Sequence, residues 1–207
     1  MNTTAIEDSA ARRSIGARRN PASQEAILDA AEAILNEEGI AGFSIEAVAR
    51  RARAGKPTIY RWWPNRTALM LDVYKRFKNA RAFPDKGTLR ADLVAFLENQ
   101  LLGFWKDSLS GTVYRAVIAE AQHDPDAAAA LFAYQTERKQ TAMQMIDRAK
   151  ARGEVAQDIN GELIIDMIVS FAWHQLLIGR VAEAMDAIDG VVDGILMGCA
   201  GYEAKGG

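Results

Sequence analysis

Residues 44–66 read SIEAVARRARAGKPTIYRWWPNR, and this stretch decides the fold that the sequence predicts. It holds six lysine or arginine residues against one acid, Glu46. Its first short helix, which Ser44 can cap, has an apolar face made of Ile45, Val48 and Ala49. A second short helix begins after Gly55, because Pro57 falls in a first helical turn, where its missing N–H would have had no partner. Two short helices with exposed bases predict a helix-turn-helix that binds DNA.

The segments beside this motif complete a small helical head. Asn20 and Pro21 are suited to cap and open a first helix, and Gly39 can end it by adopting a positive φ. That helix carries an apolar stripe formed by Ile27, Ala30, Ala31, Ile34 and Leu35. We therefore predict a helix-turn-helix domain over residues 21–65, a linking helix and a Pro/Gly-rich break over residues 66–86, and a body over residues 87–207.

The motif also resembles the signature of the TetR (tetracycline-repressor) family of bacterial transcription regulators, roughly I-A-x-x-A-G-V-S-x-x-T-[IL]-Y-x-[YH]-F-x-[ST]-K-x-x-L. The matching positions hold Val48, Ala49, Ala52, Thr58, Ile59, Tyr60, Trp63, Asn65, Arg66 and Leu69. Arg53 stands where the turn usually has glycine, Ala54 where it has valine, and Gly55 where the recognition helix usually has a serine-like cap. The resemblance covers residues 22–70. It implies an all-α fold of about nine helices, with the head joined to a larger module for ligand binding and dimerisation.

Residues expected to contact DNA lie in and around the second helix of the motif. The resemblance implies contacts to base edges by Lys56, Pro57, Thr58 and Tyr60, and to phosphates by Ser44, Tyr60, Trp62 and Arg66. The polar or cationic character of exposed positions favours Lys56, Tyr60, Arg61 and Arg66. Lys56 is the side chain best suited to a guanine edge. The alternative for each is an ordinary solvated residue, and Trp63 is expected in the core.

The net charge of −2 hides a division between two parts of the chain. Residues 1–86 carry 15 Lys or Arg and 10 Asp or Glu, which gives +5, whereas residues 87–207 carry 10 and 17, which gives −7. A basic module concentrates near a polyanion, and an acidic body stays away from it. Residues 1–20 are expected to form a disordered basic arm, which is either a solvated tail or a source of additional phosphate or minor-groove contacts.

The body after residue 87 is predicted to be helical, because apolar residues recur at helical spacing without period-2 alternation. Its rings could line a pocket for an apolar or aromatic small molecule. The candidates are Phe96, Phe104, Trp105, Tyr114, Phe132, Tyr134, Trp173 and His174. Rings at helical spacing are more often plain core, and His174 also fits a hydrogen-bonded, half-buried position.

Dimerisation is expected because one head of this size binds DNA weakly, whereas two heads can read half-sites about 34 Å apart. The last two helices carry aliphatic faces that suit a four-helix bundle between two copies. The candidates are Ile164, Ile168, Phe171, Ile188, Val191, Val192, Ile195 and Leu196. The alternative is that these faces close the core of a single protomer.

Several other classes of protein are excluded by what the sequence lacks. It has no glycine-rich phosphate loop, nucleophile elbow or metal-ligand cluster, so we expect no enzyme, cofactor or metal site. A single cysteine, Cys199, excludes an intramolecular disulfide and favours a reducing compartment. The most apolar stretch, residues 163–178, is too short to span a membrane and contains Asp166 and His174. We expect a cytoplasmic protein without a membrane partner.

These observations predict a transcriptional regulator, most simply a repressor. It would bind a palindromic operator as a homodimer and be released by a small apolar or aromatic effector. A second interpretation stays open, in which the chain is a helical small-molecule-binding or adaptor protein whose DNA-binding head is degenerate. Arg53 in the turn is the feature that favours this alternative.

Overall fold

The computed structural model describes residues 21–79 and 82–201, and the regular structure within these ranges is entirely helical. The helices are α1 (Pro21–Gly42), α2 (Ile45–Arg51), α3 (Lys56–Trp62), α4 (Arg66–Asn79), α5 (Leu89–Phe96), α6 (Gly103–Trp105), α7 (Leu109–Ala121), α8 (Pro125–Arg152), α9 (Gly161–Leu177), α10 (Val181–Ala184) and α11 (Ile188–Gly201). A π-helical segment, Leu97–Leu102, joins α5 to α6, and a 3₁₀ segment, Met185–Ala187, joins α10 to α11. If α5 with α6, and α10 with α11, are each counted as one continuous helix, the described ranges contain nine helices. The predicted all-α fold is confirmed.

The basic arm of residues 1–20 and the side chain of Cys199 lie outside the described part of the chain, so the predictions made for them stay predictions.

Side-chain caps begin several helices. Ser44 Oγ accepts a hydrogen bond from the Ala47 N–H at 3.1 Å, as predicted. Asp124 Oδ1 accepts one from the Asp126 N–H at 2.9 Å. The end of α1 differs from the prediction. Gly39 takes the expected positive φ of 66°, which kinks the helix, but the chain makes a further helical turn and α1 ends at Gly42.

The head forms a small core in which α1, α2 and α3 pack together. Its buried side chains are Ile27, Ala31, Ile34, Leu35, Phe43, Val48, Ile59 and Trp63. Trp63 is buried, as predicted, and its Nε1–H donates to Asp72 Oδ2 of α4 at 2.7 Å. This bond joins the end of the helix-turn-helix to the linking helix.

Helix α4 contacts both the head and the body. On the head side, Arg76 pairs with Glu25 and Asp29 of α1, each at 2.8 Å. On the body side, the Lys78 ammonium is buried and lies 4.9 Å from the centroid of the Phe104 ring. A displacement of α4 therefore has to rearrange contacts with both the head and the body.

Tyr74 of α4 lies at the centre of an aromatic cluster in the body. Its ring stacks on Tyr114 at 4.7 Å and meets Phe104 and Tyr134 edge-on at 5.5 and 5.7 Å. Its hydroxyl accepts a hydrogen bond from the Trp105 Nε1–H at 2.8 Å. Burial raises the pKa of Tyr114 to about 12, so its hydroxyl stays protonated near neutral pH.

Among the described helices, none is both long enough and apolar enough to cross a bilayer.

Candidate DNA-binding surface and effector pocket

Helix α3 presents two different faces. Ile59 is fully buried and anchors the helix on the core of the head. Lys56, Pro57, Tyr60 and Arg61 are exposed, whereas Thr58 and Trp62 are half-buried. Tyr60 leaves 49% of its surface accessible, so its ring faces solvent on the outer side of the helix. The predicted base-reading residues therefore lie together on the outer side of a short, well-anchored helix.

The turn between α2 and α3 keeps a tight geometry despite its arginine. Arg53 has a φ of 51°, the left-handed conformation that glycine adopts most readily. The Ala54 N–H donates to the Ala49 carbonyl at 3.0 Å, and the Arg53 N–H donates to the Arg50 carbonyl at 3.3 Å. Arg53 thus takes the backbone conformation that a glycine at this position would take, at the cost of local strain.

We expect Arg53→Gly to be more stable than Arg53→Ala by about 1 kcal/mol, because both remove the same side chain but only alanine keeps the strain of a positive φ. Urea unfolding of both variants would measure this difference. Because the comparison is between two uncharged residues, loss of the arginine charge cancels. Equal midpoints for the two variants would show that the turn in solution does not hold residue 53 at a positive φ.

Charges around α3 are partly neutralised within the protein. Lys56 Nζ forms an ion pair with Glu46, and this hydrogen bond lowers the pKa of the Glu46 carboxyl. Arg51 makes two hydrogen bonds of 2.6 Å to Glu37. Arg50 and Arg53 form no ion pair with any residue in the described ranges. Contact between Lys56 and DNA would exchange the exposed Glu46 carboxylate for a base or a phosphate.

The two remaining predicted phosphate contacts also have partners within the protein. The Ser44 oxygen caps α2, and its O–H can still donate to a phosphate. Arg66 donates from Nε to the Phe43 carbonyl at 3.1 Å and pairs through Nη1 with Glu120 of α7 at 3.0 Å. Arg66 therefore ties the linking helix to the head and to the body, a role that its place in the sequence motif did not indicate.

The predicted ligand-binding residues fall into three groups. Phe104, Trp105, Tyr114 and Tyr134 belong to the packed aromatic cluster around Tyr74. Phe96, Phe132 and Trp173 line one cleft of about 280 Å³ between α5, α8 and α9, which we call the α8–α9 cleft. His174 is exposed on α9 and does not line this cleft. The cleft is also lined by polar residues that were not among the predicted ligand-binding residues: Gln135, Thr136, Arg138, Lys139, Asp166 and Ser170.

The predicted dimer residues divide between the protomer core and its surface. Ile164, Ile168, Ile188 and Val192 are buried within the protomer, where a partner cannot reach them. Phe171, Val191, Ile195 and Leu196 are half-buried. The most exposed apolar side chains of α9 and α11 were not among the candidates; they are Leu163, Leu177 and Met197. No spacing along α9 singled out this outer face, because the helix is apolar on several sides.

Two protein-family models match the chain. The model described as bacterial regulatory proteins, tetR family, matches residues 27–73, and the model described as tetracyclin repressor-like, C-terminal domain, matches residues 83–195. This chain belongs to the TetR family. TetR-family proteins are helix-turn-helix transcriptional regulators and not enzymes, so the family prediction made from residues 44–66 is confirmed.

Individual TetR-family proteins resemble the chain over most of its length. The DNA-binding transcriptional repressor TetR of Mycobacteroides abscessus is 31% identical over 184 residues, which are 86% of this chain and 94% of the relative. The uncharacterized HTH-type transcriptional regulator YdeS of Bacillus subtilis is 30% identical over 79% of this chain and 82% of its own length. The crystal structure of the TetR family transcription regulator SCO0332 superposes with a TM-score of 0.68 at 28% identity, covering 83% of this chain and 97% of that one.

Proposed function

We propose that this TetR-family regulator is a repressor that binds a palindromic operator as a homodimer and is released by a small effector. The observation that carries the proposal is the outer face of α3, where Lys56, Tyr60 and Arg61 are exposed opposite the buried Ile59. A short helix with a cation and an exposed ring on one face fits the major groove. The similarity to a relative named a DNA-binding transcriptional repressor supports the repressor mode.

Each of three consecutive segments of the chain has its own proposed role. Residues 21–65 bind the operator, residues 66–86 link the modules, and residues 87–207 bind the effector and dimerise. Operator binding would place the protein in the cytoplasm, where bacterial DNA lies. The alternative of a degenerate head is disfavoured by the left-handed conformation of Arg53, which keeps the turn between α2 and α3 tight.

Dimerisation is proposed through the outer faces of α9 and α11. Leu163 and Leu177 leave 52% and 51% of their surfaces exposed, at positions fourteen residues apart on one side of α9. On α11, a Cβ added to Gly190, Gly194 or Gly198 would meet no atom within 4 Å. An exposed apolar stripe beside an open glycine row suits close packing against a second copy.

We expect Leu163→Glu/Leu177→Glu to convert the dimer into a monomer, because four carboxylates would be brought into the interface. Both leucines are half exposed in the protomer, so the fold should tolerate the change. Light scattering coupled to gel filtration would report the mass, and affinity for the palindrome should fall on the order of 100-fold through lost avidity. Ala129→Glu/Ala133→Glu, at exposed positions of α8, is the matched control. A dimeric Leu163→Glu/Leu177→Glu variant would refute this interface.

Operator binding can be tested by incubating the purified protein with genomic DNA fragments and sequencing those that it retains at several salt concentrations. A regulator should retain discrete fragments that contain a palindrome. The slope of log affinity against log salt should be about −0.9 per phosphate neutralised. Equally weak binding to every fragment would overturn the repressor proposal and favour the adaptor alternative.

A further inference from the structure

The α8–α9 cleft combines an apolar wall with a polar rim. Phe96, Ala142, Ile165, Val169 and Trp173 form the wall. Its volume of about 280 Å³ is at the lower end of the range for small-molecule pockets, about 300 to 1,000 Å³. This space equals roughly nine times the volume of a water molecule in the liquid, about 30 Å³. Because covalently bonded atoms lie closer together than separate water molecules, the cleft suits a ligand of about ten to fifteen non-hydrogen atoms.

Arg138 is the charged group of this rim whose hydrogen bonds are least satisfied. Its guanidinium carbon lies 4.4 Å from the centroid of the Phe83 ring, so one face is covered while the in-plane N–H donors stay usable. The hydrogen bond from Nη2 to Gln100 Oε1 measures 3.4 Å, which is long for a strong hydrogen bond. Within residues 21–79 and 82–201, Arg138 pairs with no carboxylate.

The other charges of the cleft are already matched. Lys139 Nζ pairs with Asp166 at 2.7 Å across the cleft and with Glu162 at 3.6 Å outside it. Asp166, the acid that lines the cleft, is thereby paired with Lys139, and Arg138 is left as the cation of the lining that can bind a ligand anion. A guanidinium presents paired donors that match the two oxygens of a carboxylate.

We propose that the effector of the α8–α9 cleft is a small amphipathic carboxylate, whose apolar part packs on Phe96, Val169 and Trp173 while its carboxylate accepts hydrogen bonds from Arg138. This inference rests on the function proposed above and adds the chemical class of the ligand. The position of Arg138 connects the cleft to the linking helix. Arg138 lies one turn beyond Tyr134 on α8, and Tyr134 packs edge-on against Tyr74 of α4.

The test uses isothermal calorimetry on the full-length protein, without DNA. The probes are 2-naphthoate, 4-phenylbutyrate and decanoate, each compared with its primary amide, which keeps the shape but removes the charge. At least one acid should bind at least about 10-fold more tightly than its amide. Arg138→Gln should weaken that acid by roughly 10- to 100-fold and leave the amide unchanged. Arg115→Gln, an exposed arginine of α7 outside this cleft, should bind the acid as the wild type does.

The inference is overturned if no acid exceeds its amide, or if Arg138→Gln binds the preferred acid as tightly as the wild type. Thermal melts of each variant separate a local effect from a loss of fold. Operator binding without any probe is measured in parallel. Operator binding that persists while no acid is preferred would refute only the ligand class. Acid binding without operator binding would refute only the repressor proposal.

Discussion

We expect the Lys56→Ala/Tyr60→Ala variant to bind its operator at least about 100-fold more weakly than the wild type, because the proposed dimer would lose its proposed base contacts in both half-sites. Both side chains are exposed, and neither contributes to the core of the head. The variant should therefore keep its fold and its mass. Fluorescence anisotropy with a labelled operator, at one fixed salt concentration, would measure the loss.

The comparison with nonspecific DNA separates the two roles that Lys56 can have. If Lys56 reads a base, weak binding to unrelated DNA should survive the substitution and the salt slope should hardly change. If Lys56 neutralises a phosphate, the slope of log affinity against log salt should become shallower by about 0.9 for each protomer. Lys106→Ala/Gln140→Ala removes two exposed polar side chains from the body, outside every proposed site, so it is the matched control. Unchanged operator binding by Lys56→Ala/Tyr60→Ala would rule out α3 as the reading helix.

The largest expected effect on stability belongs to Tyr74→Ala, which should lower the free energy of unfolding by about 3 to 5 kcal/mol. Tyr74 is fully buried and contacts three other rings, so truncation leaves a cavity between α4, α7 and α8. For a chain of this length, each kcal/mol should lower the melting temperature by about 2 to 4 °C. Denaturant unfolding, followed by circular dichroism, would measure the loss.

Tyr74→Phe is the control that separates packing from hydrogen bonding. Phenylalanine fills the same space but leaves the buried Trp105 Nε1–H without its acceptor, at a cost of about 1 to 3 kcal/mol. The alanine variant should therefore unfold more easily than the phenylalanine variant. Equal unfolding midpoints would mean that the stacked rings around Tyr74 contribute little beyond the hydrogen bond.

Local patterns in the sequence were sufficient to predict the head and the starts of its helices. Pro57 and Ser44 act within one turn of their own positions, so the sequence alone identifies where α2 and α3 begin. The burial of Ile59 and Trp63 also follows from short-range periodicity and from the family motif. Gly39 was predicted to end α1, but the helix is only kinked there and continues to Gly42, because a positive φ at one glycine does not prevent a further turn.

The body shows what local patterns could not determine. Helix α9 is apolar on several sides, so periodicity could not tell its inner face, with Ile164 and Ile168, from its outer face, with Leu163 and Leu177. The predicted ring set was likewise divided by packing between the cluster at Tyr74 and the α8–α9 cleft. Whether a ring packs in the core or lines a cavity depends on neighbours that are distant in sequence.

The sequence by itself determined the family, the helical class and the position of the DNA-binding motif, because each depends on residues that lie close together along the chain. Only the tertiary structure decided that Arg66 bridges the head and the body, and that Arg138 lines a cleft without a carboxylate partner among the residues that the structure describes. Those properties depend on the distance between atoms of different helices, such as Arg66 and Glu120, which are 54 positions apart in the sequence. Residue spacing along one helix carries no information about such distances.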